Sequence, residues 1–289
     1  MSMLIDVHVH LLPPRRLAKL MEWMHRLFPR HPVPVTVTLD DCIADYKKLR
    51  VDYLFNLAYP IFPDETEGLI DFNGDLRRRH PWIIPWGSLH VENPDKGRIV
   101  ERCIVEQDFL GLKFHPFIQR FDPLDPRMFE AYQRLQELGR PVVFHTGFEE
   151  LYRGSLPVGT MEEVARNFPR MPVVFAHSLF PEFDEAWRIL DRYDNVWVEM
   201  TNVFGALWDD RYPSGVAVGD TAKLLDGIAA RSDRIMFGSD HPAGLGSLEE
   251  IYRMLDTLGL SETVKENLLG ETARRFVLRF KPGFFDTPR

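Results

Sequence analysis

Eight short, mainly apolar runs of strand-favouring composition punctuate the chain, and each is followed by a helix-like pattern. They are Met3–Val9, Val51–Ala58, Ile83–His90, Phe109–Phe114, Val142–His145, Val173–His177, Val196–Met200 and Ile235–Gly238. Near-continuous apolar runs of this length are what parallel strands buried on both faces look like. Strands alternating with helices along all 289 residues predict one α/β domain, 1–289, built as a (β/α)8 TIM barrel. The alternative is an open doubly wound sheet, which normally carries a glycine-rich phosphate turn after its first strand. Here the first strand, Leu-Ile-Asp-Val-His-Val-His, ends on histidines instead.

Local signals place the helices. Thr38-Leu39-Asp40-Asp41 reads as a capping box ahead of Cys42–Leu49, and Ser247-Leu248-Glu249-Glu250 opens a helix after the eighth strand. Asp125-Pro126 supplies an N-cap and a proline at N1, and Gly139 closes that helix with Pro141 just beyond. Thr160-Met161-Glu162-Glu163 is expected to start another, and Ser261–Leu269 and Glu271–Arg279 read as two more. Two connections are long, about 11–36 and 202–220, and both would emerge at the C-terminal face of a barrel. The first holds a stripe at helical spacing, Leu17, Leu20, Met21, Met24 and Leu27, expected to pack against the barrel or a partner subunit.

Composition excludes several function classes. A net charge of −8 leaves no basic footprint for nucleic acid and no long-range attraction to anionic membranes. The Arg77-Arg78-Arg79-His80 run reads as a helix C-terminus facing its dipole. No run of 18 or more apolar residues exists and no secretory leader is evident, so a cytoplasmic protein is expected. Cys42 and Cys103 form no disulfide framework or zinc spacing and read as small buried hydrophobes.

The histidines carry the chemistry. His8, His10, His90, His115, His145 and His177 lie at or just beyond the C-terminal ends of the expected strands, and Asp240 lies just past the eighth. In a barrel those ends surround one mouth. Residues two apart on a strand point the same way, so His8 and His10 could chelate one ion. Neutral imidazole suits zinc and other first-row divalent ions, and a carboxylate offsets their charge. Each residue has a plain reading when taken alone: His145 and His177 as capped core histidines, Asp240 as a turn aspartate. Taken together, His8, His10, His145, His177 and Asp240, at the same end of four expected strands, predict a metal site. Lys113 ends the fourth strand, where a buried ammonium is expensive unless paired or chemically modified. His115 is a candidate substrate contact, with a loop histidine as its plain alternative. Trp208, in the second long loop, is expected to help shape the substrate pocket. His241 is expected to support its loop, and His25, His31 and His80 to be solvated.

The motifs Ile-Asp-Val-His-Val-His, Gly-Leu-Lys-Phe-His-Pro, Phe-His-Thr-Gly, Phe-Ala-His-Ser and Phe-Gly-Ser-Asp-His-Pro, with the ending Asn267-Leu-Leu-Gly-Glu-Thr-Ala-Arg-Arg-Phe, resemble the amidohydrolase superfamily. They are most similar to the amidohydrolase-related branch that also contains aminocarboxymuconate-semialdehyde decarboxylase. The resemblance runs from about residue 3 to residue 280. It implies that His8, His10, His145 and Asp240 bind a divalent metal, usually zinc, with manganese and iron sharing these ligand types. It implies that His177 is a second-metal ligand or an acid/base. It also puts Lys113 where two-metal members carry a carboxylated lysine that bridges the ions, and decarboxylases of the branch generally lack that lysine. The expected activity is therefore metal-dependent hydrolysis of a small-molecule amide, lactone or ester, with Asp240 as base then acid. The alternative is non-oxidative decarboxylation of an unsaturated or aromatic acid. A homodimer is expected from the resemblance alone. One departure stands out: Leu179 follows His177-Ser178 where relatives often have glycine.

Overall fold

A computed structural model describes residues 3–152, 154–208 and 220–286. Its eight strands fall inside the eight apolar runs: β1 Ile5–Val9, β2 Tyr53–Asn56, β3 Ile83–Pro85, β4 Leu112–Phe114, β5 Val142–His145, β6 Val173–Ala176, β7 Val196–Glu199 and β8 Ile235–Met236. Every strand residue is buried, which is why the runs are apolar on both faces rather than alternating. Most strands are shorter than their runs: β1 and β4 begin later, β3, β6, β7 and β8 end earlier, and β2 is trimmed at both ends. The chain divides into two compact units, Met1–Leu57 with Met200–Arg275, and Ala58–Glu199 with Phe276–Arg289.

In the first unit, β1 pairs in parallel with β2, Ile5 against Tyr53 and Asp6 against Leu54, and the register slips before Val9 meets Asn56. The other edge of β1 takes the end of the chain's last strand. Val7 donates to the Phe237 carbonyl at 3.3 Å, His10 to that of His241 at 2.9 Å, and Asp240 donates to the His8 carbonyl at 2.8 Å. The last strand thus runs beside the first, as a closed sheet requires and the doubly wound alternative does not. The helix Pro14–Leu27 occupies the first long connection and buries Leu17, Met21 and Met24. Thr38 and Asp41 form the expected capping box on Leu39–Leu49, as do Ser247 and Glu250 on Leu248–Thr257. Ser261 caps Glu262–Glu266, and a π-helical turn, Asn267–Glu271, replaces the break expected before the terminal helix.

In the second unit, β4, β5, β6 and β7 pair in parallel in chain order. β3 joins β4 through Gly87, whose N–H donates to the Gly111 carbonyl and whose carbonyl accepts from Lys113, both at 2.8 Å. Phe114 on β4 packs against Phe121, Tyr132 and Phe144 with ring centroids 5.7–6.0 Å apart. Burying each such side chain contributes about 1.5–3 kcal/mol. Asp125 caps Pro126–Met128, which leads into Phe129–Leu138, and Gly139 closes that helix with φ 61°. Arg77–Arg79 form the last turn of Thr66–Arg79, as expected. The helix expected to start at Thr160 starts earlier, at Val158, because Pro157 already fixes the entry to the first turn.

Both cysteines are buried, and burial pushes each thiol up to about 12. Among the described residues, no helix is long and apolar enough to cross a membrane.

Candidate metal centre

Alternation on β1 puts Asp6, His8 and His10 on one side of the strand. In the first unit, His8 and His10 meet Asp240. The Nε2 atoms of His8 and His10 lie 3.4 and 3.0 Å from Asp240 Oδ1, and the two rings are 5.1 Å apart edge to face. All three residues are buried. Their ligand atoms lie within 4.8 Å of one another. Two ligands held about 2.0–2.1 Å from a tetrahedral ion sit about 3.3 Å apart, so this donor set fits a divalent cation.

The backbone around Asp240 is built for this placement. Asp240 adopts φ 62°, which turns its side chain back over β1. Gly238 allows the approach: a Cβ there would come within 2.6 Å of the His8 Cβ and of Thr201 Oγ1. Asp240 Oδ2 accepts from Asn202 Nδ2 at 2.6 Å. Beneath the pair of histidines lies Asp6, fully buried. Its Oδ1 accepts the N–H groups of His8 and Ser239 at 3.1 and 3.0 Å, and its Oδ2 accepts the hydroxyls of Tyr46 and Tyr252, both at 3.1 Å. Burial pushes the Asp6 carboxyl above the usual range, and the hydrogen bonds from Ser239, His8 and Tyr252 pull it back.

In the second unit the histidines at the strand ends form their own cluster. His145 ends β5 and His177 follows β6. His145 Nδ1 and His177 Nε2 are 3.1 Å apart, so one imidazole donates to the other and His145 would coordinate through Nε2. His115 stacks on His145 at 3.7 Å, nearly parallel, and is flanked by Tyr59 at 5.0 Å and Tyr152 at 4.8 Å. Lys113 pairs in register with Val143, two residues before His145, so it shares the face of His145. It is completely buried.

His177, Ser178 and Leu179 all take positive φ, 63°, 51° and 56°. Three successive non-glycine residues in the left-handed region store strain, and such strain persists only when neighbours hold it. Here Glu199 on β7 accepts the His177 N–H at 2.9 Å through Oε1, and its carbonyl accepts the Ser178 hydroxyl at 2.8 Å. Thr146 Oγ1 accepts the Leu179 N–H at 3.1 Å. The turn at Leu179 therefore keeps the conformation that glycine would adopt without strain.

Of the residues singled out in the sequence, His8, His10 and Asp240 come together in one unit, and His115, His145 and His177 in the other. His90 is half-buried, its Nδ1 accepting from Glu92 N at 3.2 Å. His241 is buried edge-on to Tyr46, as a loop support. His31 is a correction: it is buried rather than solvated, its Nε2 bonded to the Gly244 carbonyl at 2.9 Å, a partner 213 residues away. The Trp208 side chain and residues 209–219, most of the second long loop, lie outside the described residues. Asp6, Asn202 and Glu199 were not singled out. Asp6 could have been, as a polar residue in step with His8 and His10; the other two depend on partners remote in sequence.

The sequence profile of the amidohydrolase family matches residues 5–279. No curated protein matches the chain. Among solved structures it is similar to an uncharacterized TIM-barrel protein of Bordetella bronchiseptica, at 17% identity, covering 96% of this chain and 99% of that one, with TM-score 0.71. It is similar to 5-carboxyvanillate decarboxylase of Novosphingobium aromaticivorans, solved with manganese and 4-hydroxy-3-methoxy-5-nitrobenzoic acid, at 15% identity over 96% of each chain, TM-score 0.68. A third is a putative 2-pyrone-4,6-dicarboxylic acid hydrolase of Pseudomonas putida, at 18% identity over 97% of this chain and 99% of that one, TM-score 0.65. The fold is therefore the (β/α)8 barrel expected from the alternating runs.

Proposed function

Since the chain belongs to the amidohydrolase superfamily, we propose that it is a metal-dependent hydrolase of a small-molecule amide, lactone or ester. The observation that carries the metal reading is the meeting of His8, His10 and Asp240 Oδ1 at ligand spacing. These residues would hold the ion, zinc being the one such donors suit best, and the resemblance implies His145 as a further ligand. A divalent ion held there would supply a Lewis acid for a substrate carbonyl and lower the pKa of a water molecule towards neutrality. Asp240 would accept a proton from the attacking water and return it to the leaving group, as base and then acid. His177, held rigidly in its strained turn, serves as a further ligand or stabilises developing charge. His115, between Tyr59 and Tyr152, is the proposed substrate contact. Lys113 favours hydrolysis: it is completely buried on the His145 face, at the position where the resemblance puts a carboxylated lysine ligand.

The second reading is non-oxidative decarboxylation, favoured by the likeness to 5-carboxyvanillate decarboxylase. There Lys113 would pair with a substrate carboxylate and His177 would protonate carbon. An assay panel of lactones, esters and amides, run beside unsaturated and aromatic carboxylic acids with carbon dioxide detection, separates the two. Hydrolysis is expected, and Asp240→Asn should lower turnover about 10²–10⁴-fold. Carbon dioxide release without hydrolysis would move the assignment to the second reading.

A further inference from the structure

Asn202 lies two residues after Met200, whose N–H donates to the Met236 carbonyl at 3.0 Å, and directly precedes the helix Val203–Trp208. Its φ is 62°, a left-handed conformation that asparagine adopts more readily than most residues. Its amide is used at both ends. Oδ1 accepts the Leu245 N–H at 3.0 Å, and Nδ2 donates to Asp240 Oδ2 at 2.6 Å. The Leu245 bond settles which end is which: only the oxygen can accept from a backbone N–H, so the NH₂ group must face the carboxylate. The two oxygens of Asp240 are thereby divided. Oδ2 is held by Asn202, and Oδ1 faces the His8 and His10 imidazoles.

We propose that Asn202 is a positioning residue that keeps Asp240 a one-oxygen ligand of the ion. A carboxylate without that donor can rotate about χ2 and present both oxygens, which changes the coordination number and the direction in which the proton is carried. The inference rests on the proposed role of Asp240 as a metal ligand. It assigns Asn202 no contact with substrate or metal.

The test is titration of metal-free protein with Co(II), followed by visible absorption and calorimetry. Asn202→Gly deletes the amide and tolerates the left-handed backbone. It is expected to raise the Co(II) Kd about 10–100-fold, the usual cost of losing a ligand's outer partner, and to weaken the Co(II) bands as coordination expands. Val203→Ala is the structural control, since its buried side chain carries no hydrogen-bonding group. It should lower Tm while leaving the Kd and spectrum at wild-type values. An Asn202→Gly protein with wild-type Kd and spectrum overturns the inference alone, as does a Val203→Ala protein that matches Asn202→Gly. A wild-type chain that binds no Co(II) overturns both the inference and the metal reading beneath it.

Discussion

Asp6 gives the sharpest test of how the candidate metal centre is held in place. Its fully buried carboxylate accepts four hydrogen bonds, from the N–H groups of His8 and Ser239 and from the hydroxyls of Tyr46 and Tyr252. Asp6→Ala strips the acceptor from all four. Tyr46 keeps Ser239 Oγ at 3.0 Å as another partner, so the loss counts for the other three groups. At about 1–3 kcal/mol for each buried group left unsatisfied, with some relief from water entering the space, the loss should be about 3–5 kcal/mol. Asp6→Asn is isosteric. Its oxygen can still accept from both N–H groups, and its NH₂ can donate to the tyrosine oxygens, so its cost should be about 1 kcal/mol or less. Urea unfolding in the presence of a chelator measures both, and the chelator removes the extra stability that a bound ion would add. Equal losses in the two variants would refute the hydrogen-bond account and implicate the charge itself. A loss below about 1 kcal/mol in Asp6→Ala would show that the network holds nothing in place.

Two further stability predictions follow from the second unit. At Leu179, alanine should be less stable than glycine by about 1 kcal/mol, the reverse of the usual order, because both lose the buried side chain but only glycine relieves the left-handed strain; thermal unfolding of the two variants decides it, and a more stable alanine variant contradicts the strain reading. Glu162 is held down to about 2 chiefly by its hydrogen bond from Arg188, so it adds stability that is present above the ordinary glutamate range and is lost as pH falls through about 2; Glu162→Gln should therefore be less stable than wild type at pH 7, with the gap closing between about pH 4.5 and pH 2 in urea titrations, and a gap that is independent of pH contradicts the assignment.

What was legible in the sequence was what is local or periodic. Near-continuous apolar runs located all eight strands among the described residues, because a strand buried on both faces is mostly apolar. Capping boxes at Thr38 and Ser247 were legible because both partners lie within one turn. The alternation in β1 showed that His8 and His10 point the same way. The rest depends on residues brought together by the whole chain. Nothing near His31 announces the Gly244 carbonyl that buries it. Nothing in Thr-Asn-Val announces that Asn202 reaches Asp240, nor that Glu199 accepts from the His177 backbone. The left-handed turn at Leu179 was hidden for a different reason. Leucine there disguises a conformation that glycine would have signalled, and contacts from Thr146 and Glu199 hold it in place of local preference.

The central claim is that His8, His10 and Asp240 are ligands of a divalent ion. Elemental analysis of purified protein tests it most directly, on wild type, His10→Ala and Lys113→Ala side by side. The account predicts divalent metal in the wild type, its loss in His10→Ala, and a lower metal content in Lys113→Ala if a carboxylated Lys113 serves as a ligand. A wild-type chain without metal, or a His10→Ala chain that keeps its full complement, would contradict it.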